Sequence, residues 1–199
     1  MEKRSINFEL RAKPESRTIF GTATVFNSAY DMGWYDEEMS SESLNEADMK
    51  DVVALFNHDM NMVLARTSSG TLKLNVTGNA MEYEFEAPNT TLGNDLLEMV
   101  KRGDVYQSSF AFTVEAEDWQ ERSGMKPKRV IRSIKKVYDV SPVTYPANPD
   151  TMVAKRSYEA TKEIDKDLQT IIDISVKSEI NIQNELRRNA LHLLNLKTK

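Results

Sequence analysis

One histidine, His58, lies in the body of this chain; the second, His192, falls in a polar stretch with helical spacing. Imidazole is the side chain that takes up and returns protons near neutral pH, so His58 is the candidate base for nucleophilic chemistry. The candidate nucleophile is Ser109, within Gln107-Ser108-Ser109-Phe110-Ala111-Phe112. A serine hydroxyl is a poor nucleophile until a base takes its proton, and the base needs a third group to fix its tautomer. Alternation along a strand decides between the two serines. Phe110 and Phe112 face a core and Ser108 shares their side, whereas Ser109 shares the other side with Ala111 and Thr113, small residues that leave room for a substrate backbone. For the third place, Asp139 in Tyr138-Asp139-Val140-Ser141-Pro142 is preferred, because it ends a long strand that can pair beside the Ser109 strand. Asp59, Glu115 and Asp104 stay open as alternatives. A structural histidine and an ordinary strand serine are the competing readings.

Composition narrows the chemistry further. The 199 residues suffice for one well-buried domain and an appendage. A net charge of −5 gives no electrostatic reason to expect nucleic acid or an anionic membrane as partner. The densest basic run, Lys126-Pro127-Lys128-Arg129, reads as a solvated turn. The absence of cysteine removes disulfides, thiolate nucleophiles and thiolate-bound zinc, and a multi-histidine metal site is excluded as well. No acidic cluster suggests Mg²⁺ or Ca²⁺, so no metal or cofactor is expected. There is no Gly-x-Ser-x-Gly elbow, no P-loop and no dinucleotide fingerprint. No apolar run has the length of a membrane span, and Met1-Glu2-Lys3-Arg4 leads into an alternating strand rather than a signal-peptide core, so a soluble intracellular protein is expected.

The elements that must position these residues are mostly strands. Alternation predicts strands over 5–11, with Ile6, Phe8 and Leu10 inward, over 17–26, where Gly21 marks a bulge or close approach, and over 52–56, ending at Asn57-His58-Asp59. Pro14-Glu15-Ser16 and Ser68-Ser69-Gly70 read as turns, and Val63-Leu64-Ala65 as strand. Segments 72–76 and 81–86 alternate as a hairpin. Residues 27–50, with Tyr30, Trp34 and Tyr35, read as an irregular segment packed on the body, and as a candidate lid, with a serine-capped short helix over 43–50. Thr91 to Arg102 is a helix capped by Thr91 and ended by Gly103, so Arg102-Gly103-Asp104 is a helix end and not an adhesion tripeptide. Strands follow over 105–115 and 129–143, stopped by Pro142, Pro146 and Pro149. About seven strands without alternating helices predict a mainly β, α+β fold, a small closed or nearly closed β-barrel. Residues 1–155 form this domain. Residues 156–199 lack glycine and proline and form one or two amphipathic helices, with Ile164, Leu168 and Ile171 and then Ile182, Leu186, Ala190 and Leu193 at helical spacing.

Four segments carry a resemblance: 21–27 (Gly-Thr-Ala-Thr-Val-Phe-Asn), 55–59 (Leu-Phe-Asn-His-Asp), 102–112 (Arg-Gly-Asp-Val-Tyr-Gln-Ser-Ser-Phe-Ala-Phe) and 140–151 (Val-Ser-Pro-Val-Thr-Tyr-Pro-Ala-Asn-Pro-Asp-Thr). In order and spacing across residues 5–155 they resemble the prohead serine proteases of tailed bacteriophages, distantly similar to the herpesvirus assemblins. The resemblance implies a β-barrel endopeptidase with His58 as base, Ser109 as nucleophile and Asp139 as third member. Family members more often read Met-Ser-Phe-Gly-Phe; here Ser108 and Ala111 stand in the Met and Gly places, and neither change removes a catalytic atom. It further implies a capsid-maturation enzyme acting in the host cytoplasm, inside the procapsid. Its partners would be the major capsid protein and the scaffold polypeptide. Self-cleavage and assembly into a homodimer or larger homo-oligomer are also expected from the family. Oxyanion donors are expected near the Ser109 strand or the 142–149 loop. The competing functional classes are a non-catalytic capsid-assembly protein and an esterase or amidase using the same three residues.

Overall fold

The computed structural model describes residues 1–6, 10–13, 15–145 and 151–197. Phe8, Pro14, Pro146 and Pro149, and with them residues 146–149 of the 142–149 loop, lie outside these residues. The chain divides into two compact units, Met1–Asp150 and Thr151–Lys199.

The first unit is mainly β with one helix. In chain order its strands are β1 (Glu2–Ile6), β2 (Leu10–Ala12), β3 (Thr18–Val25), β4 (Ala29–Asp31), β5 (Asp36–Met39), β6 (Val53–Leu55), β7 (Val63–Arg66), β8 (Leu72–Val76) and β9 (Ala80–Glu86). Helix α1 (Thr91–Arg102) follows, then β10 (Gln107–Gln120) and β11 (Lys128–Val143). Alternation of buried and less buried residues is clearest in β3 and β9. In β3 and β9 the inward set is Ile19, Ala23, Met81, Tyr83 and Phe85; these pack into one cluster with Phe110, Phe112, Ile131, Ile134 and Val137 of β10 and β11.

The expected barrel is not formed. Two sheets stand instead: one runs β1-β10-β11-β5-β4 with β6 also on β11 and β7 on β6, the other β2-β3-β9-β8. The reason lies in β11. At 16 residues it is long enough to take two short parallel partners end to end, β5 on Lys128–Ile131 and β6 on Asp139–Val140. The sheet therefore branches along β11 rather than wrapping round, and its end strand β1 pairs with β10 alone among the described residues.

Local departures have equally local causes. Residues 41–46 are successive turns rather than a helix, closed by Ser43 N to Ser40 O, Asn45 N to Glu42 O and Ala47 N to Leu44 O. The aromatic stretch before them is a hairpin, β4 on β5. Helix α1 is capped by Thr90 rather than Thr91: Thr90 is extended and its hydroxyl accepts from Gly93 N at 3.2 Å. Gly103 closes the helix in the left-handed region (φ 81°). Gly21 is a close approach, since a Cβ there would lie 2.7 Å from the Tyr83 ring. Pro142 sits inside β11 rather than stopping it. Lys128 and Arg129 open β11, and Arg129 is 1% exposed, so the basic run is no solvated turn.

The second unit is helix α2 (Thr151–Lys197), continuous over 47 residues, on which Ile164, Leu168, Ile171 and Ile172 are exposed. No helix of the described residues is long and apolar enough to cross a membrane.

Candidate active site

Strand β10 lies between β1 and β11, so both of its edges are paired, and all six residues from Gln107 to Phe112 are buried. Alternation then sorts its two serines. Ser108 points with Phe110 toward the core, where its hydroxyl donates to the Tyr83 hydroxyl at 2.9 Å. Ser109 points the other way and meets His58: Ser109 Oγ lies 2.6 Å from His58 Nε2.

His58 reaches this place through a constrained loop. Strand β6 runs parallel to the end of β11, and the chain leaves β6 into a tight turn in which Phe56 N donates to Met62 O (3.0 Å) and Met62 N to Asp59 O (2.9 Å). Asn57 and His58 both take left-handed backbone angles, φ 54° and 57°. Asparagine and histidine enter that region more readily than other non-glycine residues, yet two in succession must be held by their surroundings. The restraint comes from β11. Asn57 N donates to Pro142 O (3.0 Å), Thr144 N donates to Asn57 Oδ1 (2.9 Å), and Asn57 Nδ2 donates to Thr144 Oγ1 (3.3 Å).

Asp139 completes the set. It faces Ala111 across the β10–β11 ladder, as Ser141 faces Ser109, and its Oδ1 is 2.6 Å from His58 Nδ1. The imidazole and carboxylate are nearly covered, with side-chain exposures of 5% and 8%, and Ser109 is 0% exposed. An ionised carboxylate only accepts, so Nδ1 carries the imidazole proton and the Nε2 lone pair faces the serine hydroxyl.

The three expected residues are thus brought together, and the alternatives are not. Asp59 Oδ1 accepts from Asn61 N (2.8 Å) and Nδ2 (3.0 Å). Glu115 pairs with Lys135 (3.6 Å) and Asp104 with Arg102 (3.1 Å), both at exposed positions.

Sequence reasoning missed three features here. One is Ser141, buried, whose Oγ donates to Asp139 Oδ1 at 2.7 Å and lies 3.3 Å from His58 Nδ1. The same period-2 alternation that selected Ser109 would have put it beside Asp139. Another is Arg4, whose main-chain carbonyl accepts from Ser109 Oγ at 2.9 Å. The single hydroxyl proton of Ser109 therefore has two acceptors in reach, Arg4 O and His58 Nε2. The third is what anchors that strand. The Arg4 guanidinium is buried against Glu2 and Glu37, and Arg129 joins the same cluster through Glu2 Oε2 (2.7 Å), Glu37 Oε2 (2.9 Å) and Glu117. Burial works against the Arg4 charge, but Glu37 and Glu2 outweigh it and keep its pKa above the ordinary value. A pairing across 127 residues, such as Glu2 with Arg129, leaves no local pattern to read.

Among the described residues no group of His, Cys, Asp or Glu could hold a metal ion. A base, an aliphatic hydroxyl and a carboxylate joined by short hydrogen bonds are the groups that acyl transfer requires. No curated protein and no solved structure matches the chain. A family model, described as caudovirus prohead serine protease, matches residues 6–164. With most of the chain covered by that match, the protein belongs to the caudovirus prohead serine protease family.

Proposed function

We propose that this chain is the capsid-maturation endopeptidase of its phage, with Ser109 as nucleophile, His58 as general base and Asp139 as the residue that holds the imidazole. The observation that carries the reading is the unbroken run from Ser109 Oγ to His58 Nε2 (2.6 Å) and from His58 Nδ1 to Asp139 Oδ1 (2.6 Å). In the first step Nε2 takes the hydroxyl proton as Oγ bonds to the scissile carbonyl carbon. The carbonyl π pair moves onto oxygen, and the imidazolium is stabilised by Asp139. The same proton then passes from Nε2 to the departing amine as the C–N bond breaks, leaving an acyl-enzyme. Water repeats the sequence and releases the acid. Backbone N–H groups that stabilise the oxyanion complete such a site.

Because Ser109 is fully covered, an extended substrate segment reaches it only after the chain around it opens. The substrates in this reading are the scaffold polypeptide or the scaffolding segment of the major capsid protein, and the enzyme's own chain. The setting is the host cytoplasm, inside the procapsid, and the enzyme works there as a homodimer or larger homo-oligomer. Co-expression with the neighbouring coat protein tests this. Wild type should yield coat or scaffold fragments by intact mass, and Ser109→Ala only full-length products. Identical masses from the two, together with no labelling of Ser109 by a serine-directed phosphonate, would point instead to a non-catalytic assembly protein.

A further inference from the structure

The segment Asp139-Val140-Ser141-Pro142-Val143-Thr144 serves the site at every polar position described. Asp139 and Ser141 project from one side of β11 onto the imidazole, while the Pro142 carbonyl and the Thr144 N–H grip Asn57, the residue next to His58. Within it Ser141 has no part in the three-residue scheme, yet it is 0% exposed and lies directly across the ladder from Ser109. Its hydroxyl proton goes to Asp139 Oδ1 at 2.7 Å, the same oxygen that meets His58 Nδ1. With that proton committed, the Ser141 oxygen presents a lone pair toward Nδ1, 3.3 Å away. Two acceptors, one carboxylate and one hydroxyl, then converge on Nδ1. An imidazole protonated only on Nε2 would turn a lone pair toward both, and a flipped ring would turn a carbon-bound hydrogen there and lose both bonds.

We propose that Ser141 is a positioning residue of this reaction. It pins the Asp139 carboxylate and, through it, commits His58 to the tautomer whose Nε2 accepts the Ser109 proton. This rests on the protease reading given above. The Ser141 hydroxyl meets Asp139 Oδ1 and His58 Nδ1 rather than Ser109 Oγ or His58 Nε2, so its loss should lower turnover and leave substrate binding alone. A hydrogen bond to a charged group is of the size that gives about a ten- to hundredfold change in rate.

The test compares wild type, Ser141→Ala, Asp139→Asn, the double variant and Ser43→Ala in the full chain. Ser43 is the control because it is equally buried and its hydroxyl has no hydrogen-bond partner among the described residues. Four quantities are read: kcat and KM on a coat-derived peptide, the far-downfield proton NMR signal of His58 Nδ1–H, and the thermal midpoint. Expected for Ser141→Ala are a fall in kcat of about tenfold or more, KM within about twofold, and a shifted or broadened Nδ1 signal. Ser43→Ala should change none of the three site readouts. In the double variant the Ser141 effect should shrink, because the carboxylate it pins is gone. If Ser141→Ala does not fold, Ser141→Cys, which fills the place with a weak donor, takes the same readouts. A folded variant with unchanged kcat and unchanged Nδ1 signal overturns the proposal, as does full additivity with Asp139→Asn. Wild type inert to a serine-directed phosphonate would sink the protease reading and the proposal together. A labelled enzyme whose Nδ1 signal ignores Ser141 would sink the proposal alone.

Discussion

Replacing Asn57 tests how the loop delivers the imidazole, and its cost divides into two parts. The side chain contributes an accepted bond from Thr144 N (2.9 Å) and a longer one to Thr144 Oγ1 (3.3 Å). Asn57 is exposed, so water replaces part of each bond, and together they are worth about 1 kcal/mol. The backbone at φ 54° adds a second term, since alanine lacks asparagine's tolerance of that region and pays about 1 kcal/mol more. Asn57→Ala should therefore cost about 2 kcal/mol, a fall of about 4–8 °C in thermal midpoint for a chain of this size. Asn57→Gly loses the same bonds but takes the left-handed backbone freely. The extra freedom glycine gives the unfolded chain costs about 0.5 kcal/mol, so the total is about 1.5 kcal/mol. The order of stability is wild type, Gly, Ala. Measurements belong in a Ser109→Ala background, so that self-cleavage cannot distort the melts. With Ser109 restored, phosphonate labelling should be slower in both variants, because His58 is the next residue. Alanine equal to or more stable than glycine would refute the backbone term. Wild-type stability in both would refute the clamp.

Ser109→Ala should abolish peptide cleavage with the fold intact, whereas Ser108→Ala should keep most activity but lose about 1–2 kcal/mol by leaving the buried Tyr83 hydroxyl without its donor; intact mass and denaturant titration check the pair. Asp139→Asn should reduce kcat about a thousandfold or more with little change in far-UV circular dichroism, and wild-type turnover would reassign the third place. Arg129→Met should destabilise by about 3–5 kcal/mol in urea melts, since it strips Glu2, Glu37 and Glu117 of a buried cation. Acid should act on the same cluster. Burial raises the Glu2 pKa, but the Arg129 hydrogen bond and the charges of Arg4 and Arg129 outweigh it and hold it below its ordinary 4.5. A depressed carboxyl stabilises the fold above the unfolded value, so stability should decline as pH drops below about 4.5, and an Arg129→Met chain should show a flatter profile there.

Much of the site was legible because strand alternation is a local rule. It separated Ser109 from Ser108, and a scarcity of imidazoles left His58 little competition. The hairpin of β8 and β9 and the bounds of α1 followed from periodicity and Gly103 in the same way. What escaped depends on distance along the chain. Nothing near Arg129 announces Glu2, and nothing in Lys126-Pro127-Lys128-Arg129 distinguishes a buried guanidinium from a solvated one. The barrel expectation failed for a related reason: strand number and order are compatible with closure or branching, and the branching depends on β5 and β6 sharing the length of β11. The left-handed pair at Asn57 and His58 is intermediate, since the residue types permit it and the clamp to Thr144 makes it persist.

Ser109 and Asp139 stand on neighbouring strands of one sheet, and His58 on the turn that leaves a third, so the proposed chemistry is a reporter of strand alignment. Sliding β10 past β11 by a single residue turns each of its side chains over, which sends Ser109 into the aromatic interior and leaves the imidazole facing the wrong neighbour. On the proposed mechanism a molecule paired one step out is inert as well as less stable. Titrating the reactive hydroxyl in a preparation accordingly counts the copies whose strands are correctly aligned, a population that bulk spectroscopy of β content does not resolve.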